Sequence, residues 1–389
     1  SCRWVIQSIF IFQVLIEMRV RVKRYINKNT IVIFVIAVCI YGFFLWGILK
    51  PDEAYSYSER RGLKGFPKLS VQTLQSGHFM EEFEKYTLDQ FPMRDTMRSI
   101  KAVGNYYLFR QKDNNGIYLA DGYLSKLEYP MSEKSLDYAV QCFSELNKKY
   151  FEGNVNAIYG VIVPDKNYFL AAENGYPALD YEAFYQTFED KLDFVDFIDI
   201  RDRLSIDDYY STDTHWRQEK IIDVAQTIAA KMGVVLAGEY EKKQLDMPFY
   251  GVYYGQSALK LPADKLCYLE NDMINNSSVY DYESGKTNKV YDMEKASGND
   301  LYETFLSGSR SLLVIDNPNA ASDRELIIFR DSFGSSIAPL FIEAYSKITL
   351  VDIRYISPSY LGKFIDFNGQ DVLFLYSTLV LNNSDTLRR

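Results

Sequence analysis

The fold class is indicated most directly by one segment, Arg324-Glu-Leu-Ile-Ile-Phe-Arg330-Asp331-Ser332-Phe333-Gly334. Its apolar centre is typical of a buried strand, and Gly334 permits a sharp turn directly after Ser332. The apolar spacing of the next ten residues predicts a helix, with Ser335 or Ser336 as its N-cap. A strand, a serine and a helix in this order place the serine at the carboxyl end of a strand, where open α/β sheets bind their ligands. The free N–H groups of the helix N-terminus would also favour a developing oxyanion.

A second stretch, Ser211-Thr212-Asp213-Thr214-His215-Trp216, contains one of only two histidines in the chain. Imidazole gives and takes protons near neutral pH. In an Asp-x-His sequence the carboxylate can orient the ring within one tight turn, as in a serine hydrolase. These residues therefore predict a catalytic triad in which Ser332 is the nucleophile, His215 the base and Asp213 the orienting acid.

A purely structural interpretation of both stretches is also open. The stretch around His215 can be a turn ahead of a helix, capped by Thr212 or Asp213, and Asp-Ser-x-Gly is a common turn composition. The other histidine, His78, lies at a predicted helix start with no aspartate at matching spacing, and we interpret it as structural.

The segments around these two stretches alternate strands with helices. Strands are predicted over residues 155–163, 194–200, 348–354 and 371–376, and an amphipathic helix over 221–232, ended by Gly233. This alternation predicts an α/β fold with a mostly parallel sheet flanked by helices.

An uncharged apolar run over residues 31–49 is long enough to cross a bilayer as one helix. Because basic residues precede it and acidic residues follow it, the positive-inside rule predicts a cytoplasmic N-terminus and an extracytoplasmic remainder. A cleaved signal peptide is the alternative, although the run is long for one and lacks a clear small-x-small cleavage site. Residues 1–17 precede Met18, which resembles a natural start, and we interpret them as a gene-start artefact.

The sequence predicts three further segments. Residues 18–50 form a basic stub and a transmembrane anchor, and residues 51–150 form a helical region with a hairpin around Asp121-Gly122. Residues 151–389 form the α/β domain, with an insertion at about 240–300 that is either a substrate wall or ordinary loop.

The charge distribution limits the classes of partner. The chain carries a net charge of −9, and residues 1–50 carry +6, which leaves −15 for the rest. An acidic exterior argues against nucleic acid held by bulk electrostatics. The sequence contains no Gly-x-Gly-x-x-Gly, Walker or Cys/His metal pattern, so we expect no cofactor and no zinc site, while carboxylate-bound calcium stays open. Cys142 and Cys267 follow the anchor, and their spacing alone does not establish a disulfide.

The Asp213-Thr-His215-Trp216 and Asp331-Ser332-Phe333 segments resemble the DHHW family and the related alginate O-acetyltransferase proteins, which are SGNH-hydrolase-like. In that group the Asp-x-His precedes the serine, as it does here, and the resemblance extends from about Phe79 to the C-terminus. The chain departs from the DHHW pattern at Thr214, where the family has histidine. This departure leaves the triad positions intact and puts the subfamily in doubt.

The resemblance implies an SGNH-like fold and O-acetyl transfer to a cell-surface or secreted polysaccharide, with acetyl supplied by a multi-pass membrane acyltransferase partner. It also implies that Arg354 and Tyr376 contact the substrate or the oxyanion. A carbohydrate O-acetylesterase would use the same triad, with water as the acceptor. A non-catalytic, glycan-binding scaffold of the cell envelope is the alternative from a different class.

Overall fold

The computed structural model describes residues 28–389. The predicted gene-start segment 1–17 and most of the basic stub lie outside the described residues. The described chain divides into two units, one formed by residues 28–56 and 61–97 and the other by residues 57–60 and 98–389.

The first unit begins with the helix α1, Lys28–Leu49, which contains no buried residue. Its 22 residues are long and apolar enough to cross a membrane by length and composition, a test that a signal sequence also passes. The remaining elements are the paired strands β1 (Tyr55–Ser56) and β2 (Arg61–Gly62), and the helices α2 (Val71–Gln75), α3 (His78–Asp89) and α4 (Arg94–Val103), within which the second unit begins.

The second unit contains the α/β fold. Its helices are α5 (Glu133–Leu146), α6 (Lys166–Asn174), α7 (Tyr181–Lys191), α8 (Ile222–Lys231), α9 (Val252–Ser257), α10 (Asp272–Asn276), α11 (Gly334–Ile337) and α12 (Thr378–Leu381). Its strands are β3 (Ile117–Ala120), β4 (Tyr123–Lys126), β5 (Ala157–Val163), β6 (Asp196–Phe197), β7 (Glu241–Gln244), β8 (Cys267–Glu270), β9 (Ser278–Asp281), β10 (Lys286–Asn288), β11 (Leu312–Asp316), β12 (Glu325–Arg330), β13 (Lys347–Val351) and β14 (Asp371–Ser377).

Eight of these strands form the central sheet, in the order β10-β9-β11-β13-β12-β14-β5-β6. The five strands from β13 to β6 pair in parallel, while β10, β9 and β11 extend the sheet by antiparallel pairing up to β13. The predicted α/β class with a mostly parallel sheet is therefore confirmed. The predicted hairpin is present as β3 and β4, with Asp121 and Gly122 both at positive φ in its turn.

The core lies on both faces of the sheet, and β12 shows why its sequence is continuously apolar. Leu326 and Ile328 pack into one buried cluster, whereas Ile327 and Phe329 pack into the cluster on the other face. Side chains alternate along a strand, so a strand covered on both faces needs apolar residues at every position.

The parallel pairing brings three strand ends to one edge. Arg330 pairs with Leu375, and Ser377 pairs with Val163, so β12, β14 and β5 end side by side. Ser332 follows β12 at this edge.

Two predicted elements differ from the structure. Only two residues of the predicted strand over 194–200 pair, as β6, because this edge strand has one neighbour. The single helix predicted after Ser332 is a four-residue α-helix, α11, followed by a 3₁₀ helix over Ala338–Glu343 with a proline in its first turn. Proline lacks the N–H that would continue the α-helical ladder, so the helix changes type there.

Candidate active site

The aspartate and histidine lie on a loop that is closed at its base. Tyr209 and Trp216 form a β-bridge, and the main-chain N–H of Tyr210 donates to the carbonyl of His215 at 3.1 Å. The Tyr209 hydroxyl donates to the carbonyl of Pro164, directly after β5, at 2.6 Å. The loop is therefore attached to the same sheet edge from which Ser332 extends.

The three predicted triad side chains lie in one hydrogen-bonded chain. The Nδ1 atom of His215 lies 2.6 Å from Oδ1 of Asp213, and its Nε2 atom lies 2.7 Å from Oγ of Ser332. Asp213 is fully buried, His215 is 9% exposed and Ser332 is half-buried. The geometry is suited to proton transfer from the serine hydroxyl to the imidazole. That these residues catalyse a reaction remains a prediction.

Asp331 fixes the turn that carries Ser332. Its carboxylate accepts the N–H of Phe333 at 2.9 Å on one oxygen, and both the N–H and the hydroxyl of Ser377 at 2.7 Å on the other. Gly334, two residues after Ser332, is packed so closely that an added Cβ would lie 2.6 Å from Cβ of Arg330. A side chain at this position would displace the turn, which explains the glycine.

Ser336 joins the segment after the serine turn to Trp216 and Tyr302 rather than capping a helix. Its hydroxyl accepts the indole N–H of Trp216 and the hydroxyl of Tyr302, both at 2.9 Å. The predicted caps are wrong, because α11 begins at Gly334, ahead of both serines, and has no side-chain cap. Ser335 instead accepts a hydrogen bond from the Arg330 guanidinium at 3.0 Å.

Tyr302 also packs against the candidate base. Its ring lies parallel to the imidazole of His215, with 3.8 Å between centroids and 7° between planes. The stacked ring covers one face of the imidazole and limits its rotation. Tyr302 belongs to the segment following the predicted insertion, and no local sequence pattern identified it.

Asp264 clamps the start of the aspartate–histidine loop, a role that no sequence pattern predicts. One carboxylate oxygen accepts the N–H and hydroxyl of Ser211 at 3.0 and 2.6 Å, and the other accepts the N–H and hydroxyl of Thr212 at 2.8 and 2.6 Å. Asp264 is 52 residues from Thr212 in the chain. Nothing local to either residue signals this contact.

The chain also approaches the candidate acid from Gly251. An added Cβ at Gly251 would lie 2.2 Å from Cβ of Asp213, and the N–H of Val252 donates to Oδ2 of Asp213 at 2.8 Å. Part of the segment predicted as substrate wall or ordinary loop therefore packs against the triad carboxylate.

The surroundings of Asp213 favour its ionised form. Burial acts to raise the pKa of this carboxyl, but the charge and hydrogen bond of His215 oppose it, together with Arg60 and the Val252 N–H. These effects hold the pKa of Asp213 well below its usual range. The Arg60 guanidinium lies 3.8 Å from Asp213 and 2.5 Å from Asp300. An ionised carboxylate is the form that can stabilise an imidazolium.

Lys166 lies buried behind the loop. Its Nζ donates to the carbonyls of Tyr210 at 2.9 Å and Ser211 at 3.4 Å, and burial lowers its pKa to about 7 against the opposing charges of nearby carboxylates. Lys166 therefore holds the same main chain that Asp264 clamps.

Within the described residues, neither Arg354 nor Tyr376 forms a hydrogen bond to a triad side chain. Arg354 follows β13, and its guanidinium donates to Asp352 at 2.9 and 2.7 Å. Tyr376 is buried in β14 against Phe143, and its hydroxyl has no hydrogen-bond partner in the part of the chain that the structure describes. Their roles toward substrate or oxyanion stay predictions.

The turn itself offers one free donor beside the nucleophile. The N–H groups of Phe333 and Gly334 already donate to Asp331, whereas that of Ser332 has no acceptor within the described residues. Of the main-chain groups expected to stabilise an oxyanion, the Ser332 N–H is therefore the one available.

Among residues 28–389, no group of three or more His, Cys, Asp or Glu is arranged to hold a metal ion. Cys142 and Cys267 are both buried and both free, so they do not form the disulfide that the sequence left open.

Comparison with solved structures identifies this arrangement of strands and loops. A DHHW family protein from Eubacterium siraeum matches at a TM-score of 0.58 and 22% identity, over 71% of this chain and 97% of its own. The chain has the fold of a DHHW family protein. This finding confirms, at the level of the fold, the resemblance seen in the sequence.

Two structures of Bacillus cereus PatB1 share the DHHW-type fold. One carries a sulfonyl adduct, and both match at a TM-score of 0.56 over 68% of this chain. Their identities are 20% and 21%, and the matches cover 95% and 96% of the PatB1 chains. No family model matches the sequence, and no curated protein matches it.

Proposed function

We propose that this protein is a membrane-anchored, extracytoplasmic serine O-acyltransferase that acetylates a polysaccharide through an acyl-serine intermediate. The observation that carries the proposal is the hydrogen-bonded chain from Ser332 through His215 to Asp213, at 2.7 and 2.6 Å. The ring of Tyr302 and the clamp of Asp264 support it, because they hold the base in place without blocking the serine hydroxyl.

The first half-reaction forms the acyl-serine. The Oγ atom of Ser332 attacks the acyl carbonyl while Nε2 of His215 takes the hydroxyl proton. The carbonyl oxygen becomes an oxyanion, to which the free N–H of Ser332 donates. Asp213 stabilises the imidazolium, which then gives its proton to the departing oxygen of the donor.

The second half-reaction moves the acyl group to the acceptor. His215 takes the proton of a sugar hydroxyl, whose oxygen attacks the acyl-serine carbon. Collapse of the second tetrahedral intermediate releases the ester, and His215 returns the proton to Ser332. No cofactor is needed for either step.

The helix α1 and the basic residues before it support the proposed site of action. By the positive-inside rule, an anchor with these flanks would leave the α/β unit outside the membrane, where cell-surface and secreted polysaccharides are found. The resemblance to O-acetyltransferases suggests a multi-pass membrane acyltransferase as the donor of the acetyl group.

Two alternative functions give different results in the same assays. A carbohydrate O-acetylesterase would pass the acyl group to water, so it would release acetate at the same rate with and without an oligosaccharide acceptor. A non-catalytic glycan-binding scaffold would form no covalent adduct between Ser332 and a fluorophosphonate.

The decisive test substitutes the triad in the full-length protein and measures acetyl transfer from p-nitrophenyl acetate together with thermal unfolding. Ser332→Ala and His215→Ala should each lower turnover by about 10³-fold or more, and the double variant should be little worse, because the residues act as one unit. Asp213→Asn should cost about 10³ to 10⁴-fold by favouring the wrong imidazole tautomer. The exposed Ser359→Ala serves as the matched control and should retain wild-type turnover.

A structural role for the triad predicts the opposite pattern. The histidine and aspartate variants would then lower the melting temperature, while Ser332→Ala would leave turnover nearly unchanged. Near-wild-type activity of Ser332→Ala would end the catalytic proposal.

A further inference from the structure

A cavity of about 750 Å³ opens at the end of the sheet opposite to the triad. It lies beside the first residues of β12 and β13, whereas Ser332 follows the last residue of β12. Its lining residues are Tyr282, Val314, Asp323, Arg324, Glu325, Ile327, Lys347, Thr349, Phe364, Ile365, Asp366, Asn368, Gly369 and Gln370. The volume lies within the usual range for ligand sites, roughly 300 to 1,000 Å³.

The floor of this cavity is a small part of the central sheet. Val314, Ile327 and Thr349 come from three neighbouring strands, β11, β12 and β13. Each is on a strand of the central sheet, so the floor is as rigid as the sheet itself.

One wall is a loop held in shape by hydrogen bonds, one within the loop and one to a neighbouring segment. The N–H of Gly369 donates to the carbonyl of Asn154 at 2.7 Å, and the N–H of Asn368 donates to the Gln370 side chain at 2.7 Å. The wall is therefore formed before any ligand arrives, which lowers the ordering cost of binding.

Aromatic rings stand at the rim. Tyr282 and Phe364 are 38% and 44% exposed, and their rings meet edge to face at 5.4 Å. Tyr280 packs against Tyr282 at 4.9 Å and extends the exposed aromatic surface. Rings held in this way present apolar faces to solvent at little cost in side-chain entropy.

Both cations that line the cavity are already paired. Lys347 lies 3.0 Å from Glu325, and Arg324 lies 2.6 Å from Asp371. With both lining cations engaged, and with Asp323 and Asp366 also in the lining, the cavity gives little attraction to a phosphate or carboxylate ligand. The lining suits an uncharged ligand that has both apolar faces and hydroxyl groups.

We propose that this cavity is a second binding site that takes an uncharged saccharide segment. The C–H face of a sugar ring packs on the exposed aromatic rim, while its hydroxyls pair with the amide and carboxylate groups of the wall. Ile327, the residue of β12 nearest to the triad turn that lines the cavity, lies five residues before Ser332, which is roughly 17 Å along an extended chain. The site can thus retain a glycan chain independently of the serine chemistry, and the inference does not rest on the proposed transferase activity.

The experiment measures binding of three uncharged oligosaccharides, cellohexaose, N-acetylchitohexaose and maltohexaose, to the full-length protein in detergent micelles by titration calorimetry. At least one of these oligosaccharides should bind, and the Ser332→Ala variant should bind it equally well. Phe364→Ala should weaken its binding by about tenfold, because a stacking ring in a binding site contributes strongly when truncated. Tyr282→Ala should weaken it to a similar degree.

Tyr360→Ala is the matched control, since Tyr360 is 51% exposed, lies four residues from Phe364 and does not line the cavity. Its affinity should equal that of the wild type. The proposal is overturned if none of the three oligosaccharides binds, or if Phe364→Ala and Tyr282→Ala both bind as the wild type does. It is also overturned if Tyr360→Ala weakens binding as much as they do. A wild-type protein that binds the oligosaccharide but transfers no acetyl group would reject the transferase proposal and leave the binding proposal standing.

Discussion

Replacing Asp264 by asparagine tests whether this residue positions the candidate active site. The substitution keeps the size and shape of the side chain but exchanges one carboxylate oxygen for an NH₂ group. Each oxygen of Asp264 accepts one main-chain N–H and one hydroxyl, from Ser211 or Thr212. Whichever oxygen is lost, a hydroxyl can turn and accept, but one buried main-chain N–H then faces a donor.

The expected magnitude follows from that count. A buried donor left without an acceptor costs about 1 to 3 kcal/mol, and the remaining bonds weaken because their acceptor is no longer charged. We expect the free energy of unfolding to fall by roughly 2 to 4 kcal/mol. Because the clamped residues directly precede Asp213, a shift of the loop should also lower kcat by about 10 to 100-fold.

The assay combines urea unfolding with steady-state acetyl transfer on the same preparation. Asp246→Asn is the control, since Asp246 is exposed, and it should change the free energy of unfolding by less than about 0.5 kcal/mol. An Asp264→Asn protein with wild-type stability would refute the hydrogen-bond argument. A protein that is destabilised but has wild-type kcat would refute the positioning role and leave Asp264 as a fold residue only.

Three other predictions concern the loop and the anchor. Gly251→Ala should lower both turnover and the free energy of unfolding, the latter by at least about 1 to 3 kcal/mol, as is typical of overpacking. The control Gly104→Ala should lower neither, because its added Cβ has nothing within 4 Å. If activity and urea-unfolding assays show equal effects for the two variants, the close approach of Gly251 to Asp213 is contradicted. Burial lowers the pKa of Lys166 from its ordinary 10.5 to about 7, so the unfolded chain binds more protons between these values and stability should rise with pH across that interval. Unfolding titrations at pH 7 and 9.5 should show a smaller rise for Lys166→Met, and the same rise in both proteins would be evidence against the shift. Protease added to intact cells should remove the chain after Pro51 and leave a small anchored stub, and full protection of that region would reject the extracytoplasmic assignment.

The parts of the fold and site that the sequence predicted are those whose signals are local. A continuously apolar segment that ends three residues before Ser332 indicates a strand buried on both faces, and an Asp-x-His sequence can close its own hydrogen bond. The parallel order of the strands then follows from their alternation with helices, and it brings Ser332 to the edge where the loop of His215 is attached.

The residues that the sequence did not predict act over long separations in the chain. Asp264 and Gly251 come from the predicted insertion and Tyr302 from the segment that follows it, and each contacts the loop or the base only because the chain returns there. Ser336 was assigned as a possible helix cap because the local rule for serine before an apolar helix favours that role. Its real partners, Trp216 and Tyr302, are 120 and 34 residues away, and such contacts leave no trace in a local pattern.

The long-range contacts also explain how two distant segments keep a hydrogen-bond geometry between the base and the serine. His215 and Ser332 are 117 residues apart, and a single contact of 2.7 Å between two side chains would not hold their segments in register. The indole of Trp216, directly after His215, donates to Ser336, directly after the serine turn, and Tyr302 donates to the same hydroxyl while its ring covers the imidazole. The link therefore joins the histidine loop, the tyrosine and the serine helix at one buried oxygen. Because that oxygen lies in the core, where polar groups must be paired, any displacement of one segment would break hydrogen bonds in the other two.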